Sequence, residues 1–174
     1  MLNAGPLMDI AGQIETEMAA GNSEVAASEA RALYETVLDQ SVNLFFSDTL
    51  LISEPASGYG IYNPRPNEKY KRDEPIILYA EPVGFGYGAP GEGLYSINFD
   101  VDLRVMTEIG EPLADIPNLT QLTMTSRYKN REFQANLTYN LSGFEPGRYL
   151  LLTTFRDKNS AKTGSFETVI EIVE

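Results

Sequence analysis

Apolar residues recur at helical spacing up to about Ser47, and from Ile76 onward they recur at every second position. Leu7, Ile10, Ile14 and Met18 share one face of a 3.6-residue period, and Gly21 stands where a helix end takes a glycine. Asn22 or Ser23 then suits a second N-cap and Glu24 its positive first turn. Ala26, Ala30, Leu33 and Val37 form the second stripe, flanked by Ala27, Tyr34 and Leu38. The pattern predicts two helices in a hairpin between Leu7 and about Ser47, with the changeover near "SEPASGYG". The unit occurs once, whereas stacked helical repeats need several copies.

In "LYSINFDVDLRVM" the residues Tyr95, Ile97, Phe99, Val101, Leu103 and Val105 fall on one strand face, with Ser96, Asn98, Asp100, Asp102 and Arg104 on the other. "REFQANLTYNL" repeats this, Phe133, Ala135, Leu137, Tyr139 and Leu141 alternating with Glu132, Gln134, Asn136, Thr138 and Asn140. Clean alternation belongs to antiparallel sheets covered on one face. Further strands are expected at Ile76–Val83, Leu119–Ser126, Tyr149–Arg156 and Phe166–Val173, separated by "GYGAPGEG", "EIGEPLADIPN", "SRYKNR", "SGFEPG" and "DKNSAKTG". Short strands at this spacing predict a sandwich or barrel rather than a parallel α/β sheet.

Within that frame "GFEPGRY" resembles the corner that precedes strand F in immunoglobulin-like and fibronectin type III sandwiches, where a Tyr bonds back to the turn backbone. The resemblance implies that Tyr149 is the corner residue, "KNSAKTG" the F–G hairpin loop and "SFETVIEIV" the last strand. The wider succession from "GYGIYNPRPNEKYKRDEPIILYAEPVGFGY" to "LSGFEPGRYLLLTTFRDKNSAKTGSF" resembles uncharacterised, often exported bacterial proteins with a helical front and an immunoglobulin-like back. The expected fold is mainly β, an immunoglobulin-like antiparallel sandwich (58–174) preceded by a helical segment (1–50) packed on it. The second resemblance implies a periplasmic or cell-surface location, with a cytoplasmic one left open.

Length and composition narrow the function. A chain of 174 residues supports one substantial core, and no apolar run approaches the roughly 18 residues of a membrane helix. A net charge of -12 repels phosphate backbones, which argues against nucleic acid as a partner. Cysteine and histidine are absent, which excludes disulfides, thiolate nucleophiles, Cys/His zinc sites and imidazole bases. The start, "MLNAGPLMDIAGQ", has neither the basic nor the apolar region of a signal peptide, so such a peptide is either absent or already removed.

Chemistry would therefore rest on carboxylates, Lys, Ser, Thr or Tyr. Asp100 and Asp102 share a strand face about 7 Å apart, a spacing open to a cation or a sugar, although outward acids on a wet face are ordinarily solvated. Asp157, Asn159 and Ser160 in "DKNSAK" read as a hairpin turn rather than a calcium loop. "GFGYGAPGEG" lacks the following helix and Lys-Ser/Thr pair of a phosphate loop and reads as a mobile loop. The cluster Lys69, Lys71 and Arg72 and the "KNR" turn read as solvated surface. Sequons at Asn118, Asn136 and Asn140 would matter in a eukaryotic secreted chain.

Tyr59, Tyr62, Tyr70, Phe85 and Tyr87 sit in Gly- and Pro-rich segments, and exposed rings on loops suit recognition surfaces. Tyr59, Tyr62, Phe85 and Tyr87 are expected to form one aromatic patch, with Arg65 as an anion contact or the partner of a nearby acid. The alternative is that the rings cover the open end of the sandwich. The resulting expectation is a non-catalytic binding or assembly module without metal or cofactor, contacting a protein through the aromatic loops or the helical segment. A carbohydrate-binding module stacking sugars on those rings is the alternative, and the oligomeric state is left open.

Overall fold

The computed structural model describes residues 5–174, which divide into two compact units, 5–41 and 42–174. The first contains α1 (Pro6–Ala19) and α2 (Ser23–Gln40). Proline at the start of α1 loses no hydrogen bond there. The helix ends as the sequence suggests: Gly21 takes φ +79°, and Asn22 N–H donates to the Glu17 carbonyl at 2.9 Å, closing a Schellman-type turn. Asn22 is the N-cap of α2, yet its side chain turns back and donates to the Glu17 carboxylate at 2.8 Å.

The second unit is a mainly β sandwich of eight strands: β1 (Phe45–Leu51), β2 (Lys69–Lys71), β3 (Ile76–Val83), β4 (Tyr95–Thr107), β5 (Pro112–Ser126), β6 (Ala135–Tyr139), β7 (Gly147–Asp157) and β8 (Thr163–Val173). One sheet has the order β1-β3-β6 and the other β2-β8-β7-β4-β5. All pairings are antiparallel except β2 with β8, which run parallel through Lys69–Glu171, Tyr70–Ile172 and Lys71–Val173. Taking β3 as B, β4 as C, β6 as E, β7 as F and β8 as G recovers the immunoglobulin-type order.

Alternation selects the core. Ile97, Phe99, Val101, Leu103 and Val105 of β4 and Ala135, Leu137 and Tyr139 of β6 are buried, and they meet Leu78 and Ala80 of β3, Phe155 of β7 and Ile170 of β8 in one cluster drawn from both sheets. Tyr149 occupies the corner position: its hydroxyl donates to the Glu145 carbonyl at 2.7 Å, and its ring meets Phe144 edge-on at 5.3 Å.

Two expectations need correction. Helix does not extend to Ser47: α2 stops at Gln40, Ser41 is extended, and Phe45–Leu51 pairs with β3 as a strand. Lys69, Lys71 and Arg72 are exposed as expected, but Lys69–Lys71 is a strand, β2, and the Tyr70 ring, expected on a loop, is buried in the main core.

Candidate functional site

Glycine spacing in "GFGYG" brings the backbone against the sheet rather than freeing it. Gly88 exchanges two hydrogen bonds with Ser96, each 2.9 Å, and a Cβ at Gly88 would lie 2.5 Å from Ser96 Oγ. Gly86 N–H donates to Asp157 Oδ2 at 2.7 Å. Phe85 is consequently only 1% exposed, set edge-on to Tyr87, Phe99 and Phe133 at 5.6, 5.7 and 6.2 Å. The expected mobile loop is a pinned one.

Tyr87 is half-buried beside this core; its hydroxyl donates to the Asn130 carbonyl at 2.7 Å, and the cations of Lys129 and Arg131 lie over its ring at 5.8 and 5.1 Å. Tyr62 belongs to a different cluster, with Ile52, Ala56 and Tyr79; it packs on the Tyr79 ring at 4.5 Å and donates to Asp48 Oδ2 at 2.5 Å. The single patch of Tyr59, Tyr62, Phe85 and Tyr87 is therefore not formed. Phe85 and Tyr87 belong to one apolar cluster and Tyr62 to another, while Tyr59 is in neither and is exposed at 39%.

Arg65 is paired inside the protein, although its buried Nε has no hydrogen-bond partner among the described residues. Its guanidinium pairs with Glu74 Oε1 at 2.8 Å, donates to the Lys69 carbonyl at 2.5 Å and lies 3.9 Å above the Tyr70 ring. Burial, partly opposed by this guanidinium, pushes the Tyr70 hydroxyl up to about 12. Hydrogen bonds from Lys71 N–H and from Arg65 hold the Glu74 carboxyl below its ordinary value.

Sequence reading missed one polar cluster, because nothing local to Glu81 within the expected strand Ile76–Val83 shows that its carboxylate is buried. Glu81 of β3 is 7% exposed, accepting from the Tyr79 hydroxyl at 2.6 Å and from Ser47 Oγ at 2.8 Å. Tyr79 Oη accepts in turn from Gly60 N–H at 2.7 Å. Burial first, then the Glu81 contact, pushes the Tyr79 hydroxyl well above its ordinary range. The chain of bonds ties the Gly60 turn to β3, and each of these oxygens already has a partner.

The acidic pair on β4 is also internally compensated. Val101 pairs with Thr120 and Leu103 with Ile116, so Pro117, Asn118 and Leu119 bulge opposite the single residue Asp102. Asn118 takes φ +53° there and donates its N–H to Asp102 Oδ1 at 2.7 Å. Arg156 clasps the same carboxylate through Nε at 2.8 Å and Nη2 at 3.0 Å, while Lys158 lies 3.3 Å from Asp100. Asp102 is held by Arg156 and the Asn118 N–H, and Asp100 lies beside Lys158 and, at 3.9 Å, Arg156, so the pair braces β4 against β7. Among the described residues no three carboxylates gather as a metal site.

The Arg156 hydrogen bonds hold the Asp102 carboxyl below its ordinary value. A depressed folded-state value means that stability from this bond is fully present above the unfolded carboxyl pKa, about 3.9, and is lost as pH falls through the folded one. Asp102→Asn is therefore expected to flatten the acid limb of a stability–pH curve below about pH 4; a variant curve parallel to wild type would show that the bond contributes nothing there.

Apolar surface is left open on the first unit. α1 contains no buried residue, and in α2 only Ala26 and Leu38 are buried. Met8 (68%), Met18 (57%) and Tyr34 (50%) are exposed, with Val25 and Val37 close behind. Around them stand Asp9, Glu15, Glu17, Glu24, Glu29, Glu35 and Asp39, against the lone cation Arg31. No helix among the described residues is long and apolar enough to cross a membrane.

No protein-family model matches the chain, and no curated protein does. Among solved structures the chain is similar to the superoxide reductase (neelaredoxin) from Ignicoccus hospitalis, at 13% identity and TM-score 0.38, over 74% of this chain and 82% of that one. It is similar to the sporulation control protein Spo0M from Bacillus subtilis at 14% identity and TM-score 0.35, over 76% of this chain but only 49% of that one, so it spans about half that protein's length. It is similar to the CARDB domain of a Pyrococcus furiosus protein, solved in complex with di-metal ions, at 12% identity and TM-score 0.33, over 78% and 96% of the two chains. Likenesses this distant bring no activity, ligand or metal to this protein.

Proposed function

We propose that the protein is a non-catalytic binding or assembly module that engages a protein partner through its helical hairpin. The observation that carries this reading is the hairpin surface: α1 has no buried residue, and Met8, Met18 and Tyr34 stand exposed within an acidic surround. Unbranched methionines fit irregular partner surfaces and tyrosine supplies large contact area at low entropic cost, so both suit a recognition face. The surrounding carboxylates favour a partner face that combines apolar anchors with Lys or Arg. An exported location belongs to this proposal and is supported by the sequence resemblance. The carbohydrate reading loses its platforms, since Phe85 is in the core and Tyr87 and Tyr62 are packed in separate clusters.

Affinity capture from the native host tests the proposal, with Met8→Glu/Tyr34→Glu as the paired control. Both positions are exposed, so the double variant is expected to keep its melting temperature while losing at least tenfold in affinity for the captured protein. A partner retained equally by the variant sinks the reading.

A further inference from the structure

The two sheets of the sandwich end without a strand neighbour around a common cleft. β6 is bonded to β3 and β5 to β4, and among the described residues neither has a second strand partner. The cleft, about 320 Å³, is lined by Leu119 and Thr120 of β5 and by Asn136, Leu137, Thr138 and Tyr139 of β6. Constant-type immunoglobulin sheets carry a fourth strand beyond the one that β6 matches. Here that place is open.

An unpaired edge displays N–H and C=O groups that would template another strand, and proteins normally blunt it with proline, charge or a bulge. The first half of β5 has such devices, Pro112, Pro117 and the bulge at Asn118. Its second half, Leu119–Ser126, has neither proline nor charge, and nor does β6. Ile116–Ser126 and Phe133–Phe144 are in fact the two longest stretches of the sequence without Asp, Glu, Lys or Arg. The omission is local to these edges, because the wet face of the same five-stranded sheet carries Asp100, Asp102, Arg104, Arg156 and Lys158.

We propose that the seam between β5 and β6 accepts an extended, uncharged segment of another polypeptide by strand addition, its backbone pairing with β6 and its alternate apolar side chains entering the cleft. Free backbone groups select an extended backbone as the occupant, and the uncharged walls select against charged side chains, which would lose hydration without gaining a partner. A second copy of the chain fits less well, since its own edge strands are already held in a sheet on one side and cannot enter between two edges. The inference involves only the sandwich and stands apart from the role of the helices.

Linear peptides selected on the full chain from a displayed random library, then resynthesised for fluorescence anisotropy, provide the test. The enriched peptides are expected to be uncharged with alternating apolar residues. Their affinity should fall at least tenfold in Thr138→Lys, an exposed position that keeps the wild-type melting temperature, and in Thr120→Lys on the opposite wall. Amide exchange of Ala135–Leu141 should slow when they bind. The proposal is overturned by a library that yields no binder, by peptides indifferent to both lysines, or by protection that falls elsewhere. It is equally overturned if the free chain is a dimer that either lysine dissociates, which would make a second copy the occupant.

Discussion

Phe85→Ala is expected to destabilise the sandwich by about 3–5 kcal/mol, the range for truncating a fully buried aromatic side chain. The ring is 1% exposed and contacts Tyr87, Phe99 and Phe133 edge-on, so its removal forfeits both transfer free energy and three aromatic contacts while leaving a cavity. Relaxation into that cavity is restricted because the adjoining backbone is fixed by Gly86 to Asp157 and by Gly88 to Ser96. For a domain with a stability of about 5–15 kcal/mol, the loss is a large part of the whole. Urea denaturation measures it directly: an unchanged midpoint would mean that Phe85 is a surface ring, as its glycine-rich setting in the sequence suggests.

Asp157→Ala is the second large effect, expected at about 2–4 kcal/mol, because the carboxylate is buried and serves three donors at once. Its Oδ2 accepts from Gly86 N–H at 2.7 Å and Ser160 Oγ at 2.5 Å, and its Oδ1 accepts from Asn159 N–H at 2.9 Å. Two backbone amides would lose their acceptor in a partly buried place, and the Phe85 loop would be left with the Lys162 and Asn159 side-chain bonds, to the Gly84 and Gly86 carbonyls, as its hydrogen bonds to the β7–β8 hairpin. Exchange of the Gly86 amide should accelerate along with the fall in the urea midpoint. Asp157→Asn, which keeps one carbonyl oxygen, should cost less; equal losses for Ala and Asn would show that charge rather than acceptor number matters.

These two positions also show where sequence reading succeeds and fails. Asp157, Asn159 and Ser160 are legible as a turn because each bonds to its near neighbours, but the bond from Asp157 to Gly86 spans 71 residues and leaves no local trace. Glycine in "GFGYG" suggests mobility by composition, whereas its role here is close approach, which depends on Ser96 of β4 and Asn159 of the β7–β8 turn arriving from elsewhere in the chain. Strands β4, β7 and β8 were legible because one face is wet and the other dry, imposing a period of two. β1 was not, since its burial is graded rather than alternating and Phe45 is 47% exposed. β2 is three residues long, too short for any period to show. The hairpin of α1 and α2 was evident from its stripes, yet exposure of Met8 and Met18 depends on what the stripe packs against, which no periodicity encodes.

The parallel pairing of β2 with β8 gives the sandwich a direction in which it resists pulling. The chain enters β2 at Lys69 and leaves β8 at Val173, opposite ends of a ladder in which both strands run the same way. Tension between those two points acts along the strands, so the inter-strand bonds are strained together in shear instead of being opened one after another as in a peeled hairpin. β8 is also held on its other side by the ten-pair ladder with β7, and the buried Tyr70 and Ile172 rest in the core beneath it. A domain loaded through these segments would behave as a stiff mechanical link, yielding only when the whole patch ruptures at once.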